Sequence, residues 1–105
     1  MVAPAWGEIW WGEMPDGGPR PYLVLTRDAA IPVLTRVLVA PVTRSVRSIP
    51  TELPLGAREG LPVDCVATLD NVTVLSKGYL VRRMGAIDRA RRREVCAALA
   101  AAADC

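Results

Sequence analysis

Proline sets the limits on what this chain can fold into. Pro15, Pro19 and Pro21 crowd one segment, Pro32 stands in the next, and Pro41, Pro50, Pro54 and Pro62 follow at short intervals. Proline breaks a helix interior, and in a sheet it is tolerated at edges, strand ends and bulges. Only short elements fit between such residues. Trp6 to Glu13 (WGEIWWGE) reads as a first strand, with Ile9 and Trp11 on one face and Glu8 and Trp10 on the other. Residues 1–5 read as a frayed start, and residues 14–21 (MPDGGPRP) as a loop. Tyr22 to Thr26 is apolar throughout and reads as a buried strand, followed by a connector from Arg27 to Leu34.

The next strand is predicted over Arg36 to Val42, with Pro41 marking a bulge or strand end. A polar, basic loop from Thr43 to Ser48 leads into an edge strand, Ile49 to Leu55, blunted by Pro50 and Pro54. After a loop from Gly56 to Pro62, the run Asp64 to Leu75 reads as one long strand with a polar break at Asp70-Asn71. Tyr79 to Ile87 is a last short strand. Asp88 can then cap a helix whose apolar stripe is Val95, Ala98, Leu99 and Ala102. The sum is a single domain, 1–105, of the α+β class: a curled antiparallel sheet or small barrel with a C-terminal helix.

Composition narrows the chemistry. Hydrophobic residues make up 51% of the chain, which excludes a disordered segment. The net charge of +2 is not that of a strongly basic DNA-binding domain. The charge is uneven, however. Lys77, Arg82, Arg83, Arg89, Arg91, Arg92 and Arg93 share their stretch with one acid, Asp88, and the last four read first as a solvated helix face. The chain has no histidine, which excludes Ser–His–Asp and Cys–His nucleophiles and a histidine-pair ribonuclease. Its acids are scattered and its three cysteines (Cys65, Cys96, Cys105) lack a CxxC spacing, so neither a metal site nor a disulfide framework is expected. With no signal-like opening and no apolar run long enough to span a bilayer, a cytoplasmic location is expected.

Five motifs stand in order across this scaffold. Gly7-Glu8-Ile9-Trp10 resembles the RG[DE][IV][WY] opening of the MazF/PemK toxins, and Arg20-Pro21-Tyr22-Leu23-Val24-Leu25 resembles their RPxLVL strand. Val39-Ala40-Pro41-Val42-Thr43 resembles VAP[IV]T, Ile49-Pro50-Thr51-Glu52-Leu53 resembles LPTEV, and Gly60 to Val66 resembles GLPxDSV with Cys65 in place of serine. Gly85 and the C-terminal helix are similar to the family's ending. The resemblance implies a homodimer of SH3-like curled barrels, the fold shared with CcdB and Kid. It implies metal-independent cleavage of single-stranded RNA without a cofactor, and inhibition by a cognate antitoxin protein.

The resemblance places catalysis on Arg20 and Thr43. The chemistry agrees: attack by the 2′-hydroxyl builds negative charge on the phosphorus oxygens, which a guanidinium and a hydroxyl donor stabilise. Arginine stays protonated and is a poor base, so the proton acceptor must be a carboxylate, Lys77, Tyr22, Tyr79 or water. Trp10 takes the family's aromatic position and is a candidate for stacking on RNA bases, with Trp11 as its alternative on the opposite face. Arg44 and Arg47 are candidate phosphate contacts, or else solvated loop charges. Asp70 and Asn71 match the family's acidic–amide pair and are expected to line the RNA groove, or else to form a solvent-facing bulge. Cys65 reads as a small core residue.

The chain departs from the family pattern in two places. The loop from Gly12 to Pro19 is short and lacks the usual acidic and glutamine residues. Trp6 stands where a basic residue is usual. Two rival functions compete: a gyrase poison of the same fold, and a barrel that binds RNA or protein without cutting.

Overall fold

The computed structural model describes residues 3–104. Seven strands are followed by one helix: β1 Glu8–Met14, β2 Gly18–Val24, β3 Arg36–Thr43, β4 Glu52–Leu55, β5 Cys65–Thr68, β6 Thr73–Ser76, β7 Leu80–Ala86 and α1 Arg92–Ala103. All pairings are antiparallel, in the order β4-β5-β3-β2-β1-β7, with β6 also on β3. The sheet curls around two cores. Ile9, Leu23, Ala40, Leu53 and Leu69 form one, closed by Val95 and Ala98 of α1. Trp10, Tyr22, Val24, Val37, Val39 and Leu75 form the other on the opposite face. This is the α+β curled barrel with a C-terminal helix that the sequence led us to expect.

β1 to β3 are therefore apolar on both faces, and strict alternation is lost where both faces are covered. Gly12 is the exception that the packing requires. A Cβ there would lie 2.7 Å from the Tyr22 ring, which lies against it, and the Tyr22 hydroxyl donates to Met14 Sδ at 3.4 Å.

Four expectations are corrected. Residues 14–21 are not one loop: the turn is confined to 15–17, and β2 starts at Gly18, paired with Met14. Pro19 and Pro21 fit a strand because Val24 O accepts from Gly7 N while Leu25 N donates to Leu38 O. Alternation then turns both proline nitrogens toward β3, whose pairing with β2 covers only Tyr22 to Val24. The run Asp64–Leu75 is two strands, not one. β6 pairs with Arg36–Val39 and β5 with Val42–Thr43, and a 3-10 turn, Leu69–Asn71, joins them. Pro41 lies in mid-strand, opposite Tyr22, where that edge of β3 passes from β6 to β5 and no donor is needed. The start of the chain is also not frayed at residues 4–5: Pro4 is buried and Ala5 N donates to Glu8 Oε1 at 2.8 Å. The rest of that expectation, Met1 and Val2, and the thiol of Cys105 lie outside the described residues.

Asp88 caps the C-terminal segment as expected, accepting from Ala90 N at 2.8 Å, though the first turn is 3-10 and α1 begins at Arg92. Three of the four arginines here are not simply solvated. Arg89 pairs with Asp28, Arg91 with Glu94 and Glu59, and Arg92 lies 4.6 Å from the Trp6 ring centroid. Arg89 stacks on the same ring at 5.5 Å. Trp6 thus anchors the start of the helical segment by cation–π contact, which accounts for an aromatic at that position.

Candidate active site

A groove of about 370 Å³ opens between the first hairpin, the end of β3 and the 61–63 segment. It is lined by Trp11, Pro19, Arg20, Pro21, Val42, Thr43, Arg44, Leu61, Pro62, Val63, Cys65 and Met84. Sequence separation hides this meeting. Arg20 pairs with Gly12 on the hairpin, while Thr43 closes β3 opposite Val66. The curl of the sheet brings them to one rim, with Arg44 next to Thr43.

The groove is apolar in its walls and cationic at its rim. Arg20 is exposed and belongs to none of the ion pairs among the described residues. The Thr43 hydroxyl accepts from Ser45 N at 3.2 Å, which leaves its proton to donate elsewhere. Burial, with Asp64 and Glu59 nearby, pushes the Cys65 thiol up from its usual value and keeps it protonated. Cys65 is buried in the first core, as the sequence suggested, and its edge also meets the groove.

Two glycines fix the far wall. A Cβ on Gly85 would strike the Glu59 carbonyl, and one on Gly60, at φ +88°, would strike that of Met84. The two backbones touch, so β7 holds the loop that carries Leu61, Pro62 and Val63.

The structure sorts the other candidates. Trp10 is not in the groove. It is 6% exposed in the second core, and its indole N–H donates to Glu8 Oε1 at 3.0 Å. Trp11, one residue on and turned to the other face, lines the groove, with its indole donating to Glu13 Oε2 at 3.3 Å. Asp70 and Asn71 also lie away from it. Their 3-10 turn packs against α1, β3 and β4, and Asp70 accepts from Thr51 Oγ1 at 2.6 Å. The division of residues 64–75 into two strands carries that pair out of the groove. Arg47 is exposed in the loop after β3, outside the groove lining, with its backbone N–H bound to Glu52.

A larger depression, about 680 Å³, lies across β5. Glu52, Glu59 and Asp64 face it with Arg58, a charge pattern that repels phosphate and makes the smaller groove the candidate nucleic-acid site. Among the described residues no three His, Cys, Asp or Glu side chains gather as a metal site would require. No helix among them is long and apolar enough to cross a membrane.

The match to known proteins covers almost the whole chain. The family described as PemK-like, MazF-like toxin of type II toxin-antitoxin system matches residues 5–103. A probable endoribonuclease MazF5 of Mycobacterium tuberculosis is 45% identical over 103 residues, 97% of this chain and 94% of that protein. A probable endoribonuclease MazF2 of the same organism is 40% identical over 100 residues, 94% of this chain and 97% of that protein. Among solved structures, Mycobacterium tuberculosis toxin MazF-mt6 superposes with a TM-score of 0.87 at 33% identity, covering 92% of this chain and 96% of that one. An endoribonuclease in complex with its cognate antitoxin, from a mycobacterial species, gives 0.85 at 26%, covering 97% and 96%.

Proposed function

The chain belongs to the PemK-like, MazF-like toxins of type II toxin–antitoxin systems, and from that membership we propose that it is an endoribonuclease cutting single-stranded RNA in the Arg20–Thr43 groove. The observation that carries the assignment to this groove is the convergence of Arg20, Thr43, Arg44 and Trp11, from three separate segments, on one cleft.

In this reading the 2′-oxygen of the RNA attacks the adjacent phosphorus as the bond to the 5′-oxygen breaks. Products carry a 2′,3′-cyclic phosphate and a 5′-hydroxyl. Arg20 neutralises the charge that grows on the phosphoryl oxygens, and the Thr43 hydroxyl donates a further hydrogen bond. Arg44 holds a neighbouring phosphate. Trp11, with the apolar wall of Leu61 and Met84, offers a face on which a base can stack.

The proton acceptor is narrowed by placement. The Tyr22 hydroxyl is buried against Met14, and Lys77 Nζ donates to Ile31 O at 2.8 Å, so both are occupied elsewhere. Glu13 lies two residues from Trp11 and opposite Pro19, both of which line the groove. We assign it the proton from the 2′-hydroxyl, directly or through one water. The 5′-oxygen takes its proton from water.

The relative solved with its antitoxin supports a proteinaceous inhibitor for this chain as well, and the family supports a homodimer acting in the cytoplasm, where the RNA is. The test is purified protein on single-stranded RNA with and without chelator. We expect discrete products bearing cyclic phosphate in both. Intact RNA, products that need added metal, or gyrase-trapped DNA in place of cut RNA would overturn the reading.

A further inference from the structure

The basic run near the C-terminus looked like one feature in the sequence, but the structure assigns its members separately. Lys77 is bound to the Ile31 carbonyl, Arg83 to Glu8, Arg89 to Asp28, and Arg91 to Glu94, Glu59 and the Pro54 carbonyl. Arg92 is stacked on Trp6. Arg82 and Arg93 remain exposed and in no ion pair among the described residues. A guanidinium with an intramolecular partner is partly neutralised, whereas these two keep their full charge for an outside anion.

Their positions differ. Arg93 is on α1, whereas Arg82 is on β7 in direct register with Trp11 of β1. Directly opposed residues of an antiparallel pair project from the same face, with Cβ atoms about 5 Å apart. The neighbouring pair, Trp10 and Arg83, confirms the alternation, since both bind Glu8. Trp11 and Arg82 therefore share the other face, which is the groove face. Met84, the extra residue that a register shift leaves between Arg83 and Gly85 of β7, also lines that groove. Across β2, β1 and β7 one row runs Pro21, Trp11, Arg82, the first two lining the groove and Arg82 lying next beyond them.

We infer that Arg82 extends the cleavage groove into a binding track, holding an RNA phosphate outside the reacting one while the attached base stacks on Trp11. The spacing suits a single strand, because consecutive phosphates alternate with bases that a ring can hold. Arg82 does not touch the reacting phosphorus. It is a positioning residue for the substrate strand, and its loss weakens binding without slowing the chemical step. The inference rests on the RNA-cleaving reading of this groove.

The experiment compares wild type with Arg82→Gln, Arg82→Lys and Arg93→Gln, each checked by thermal melting. One measurement is binding of a single-stranded RNA blocked by 2′-O-methylation at the cleavage position, across a range of salt. The other is the cleavage rate of the unblocked RNA. For Arg82→Gln we expect a KM and Kd raised about tenfold, kcat within twofold of wild type, and a log Kd against log salt slope shallower by about 0.7, the value of one phosphate contact on a single strand. Arg82→Lys recovers most of the affinity and Arg93→Gln changes neither quantity. If Arg82→Gln binds as wild type does, loses kcat instead, or loses no more affinity than Arg93→Gln, the inference is overturned while the groove assignment stands. If the wild type neither retains nor cuts the RNA, both fall.

Discussion

Glu8 binds three groups at once: the Ala5 backbone N–H at 2.8 Å, the Trp10 indole at 3.0 Å and the Arg83 guanidinium at 2.8 Å. Burial pushes its carboxyl up, but the bonds from Trp10, Arg83 and Ala5 outweigh that and hold it below the usual value. A carboxyl lowered on folding stabilises the protein above its unfolded pKa, and the gain is lost as pH falls through the folded one. Glu8→Gln is therefore expected to cost about 1–2 kcal/mol near neutral pH. The gap in melting temperature from wild type should close in acid, where Glu8 is protonated in both states. A gap that does not change with pH would remove the charge from the explanation. The same neighbourhood shows what single residues disclosed. Alternation in WGEIWWGE placed Trp10 and Trp11 on opposite faces, but no pattern in one sequence says which face meets solvent. Trp10 is core because β2, β3 and β6 bring Tyr22, Val37 and Leu75 to that side.

At the scale of elements, six strands and a helix were legible, and the seventh strand appears where pairing decides the boundary. The alternation in residues 64–75 is the same for one strand as for two. It is the length of β3, shared between β6 and β5, that divides them and moves Asp70 and Asn71 from the groove. The prolines of β2 misled for a related reason: a strand paired on one side at its tip tolerates proline, and sequence does not show which edge is open. The Gly60–Gly85 contact joins elements distant in sequence. Gly85→Ala would force a Cβ into the Glu59 carbonyl, which is backbone and cannot swing aside. We expect a loss of about 1–3 kcal/mol, with cleavage reduced beyond what stability explains because the Leu61–Val63 wall shifts. Wild-type melting and activity in this variant would refute the role given to that contact.

Over the whole molecule, a net charge of +2 conceals two faces of opposite character. Arg20 and Arg44 line the groove, with Arg82 across the strand from Trp11, while Glu52, Glu59 and Asp64 lie across β5. The sequence carried the family through five ordered motifs, and it carried Arg20 and Thr43 as a pair. It offered Trp10 and Trp11 as alternatives without choosing between them, and it did not single out Arg82, which is found only through strand register. With no histidine in the chain, the proposed cleavage rests on charge stabilisation, with Arg20 as the main contributor. The measurement that tests this most directly is single-turnover cleavage of single-stranded RNA by Arg20→Ala in chelator, alongside binding of the blocked RNA and thermal melting. The expected rate is at least about 10²-fold below wild type, with melting unchanged and binding of the blocked RNA largely retained. Cleavage by the folded variant at the wild-type rate would contradict the role given to Arg20.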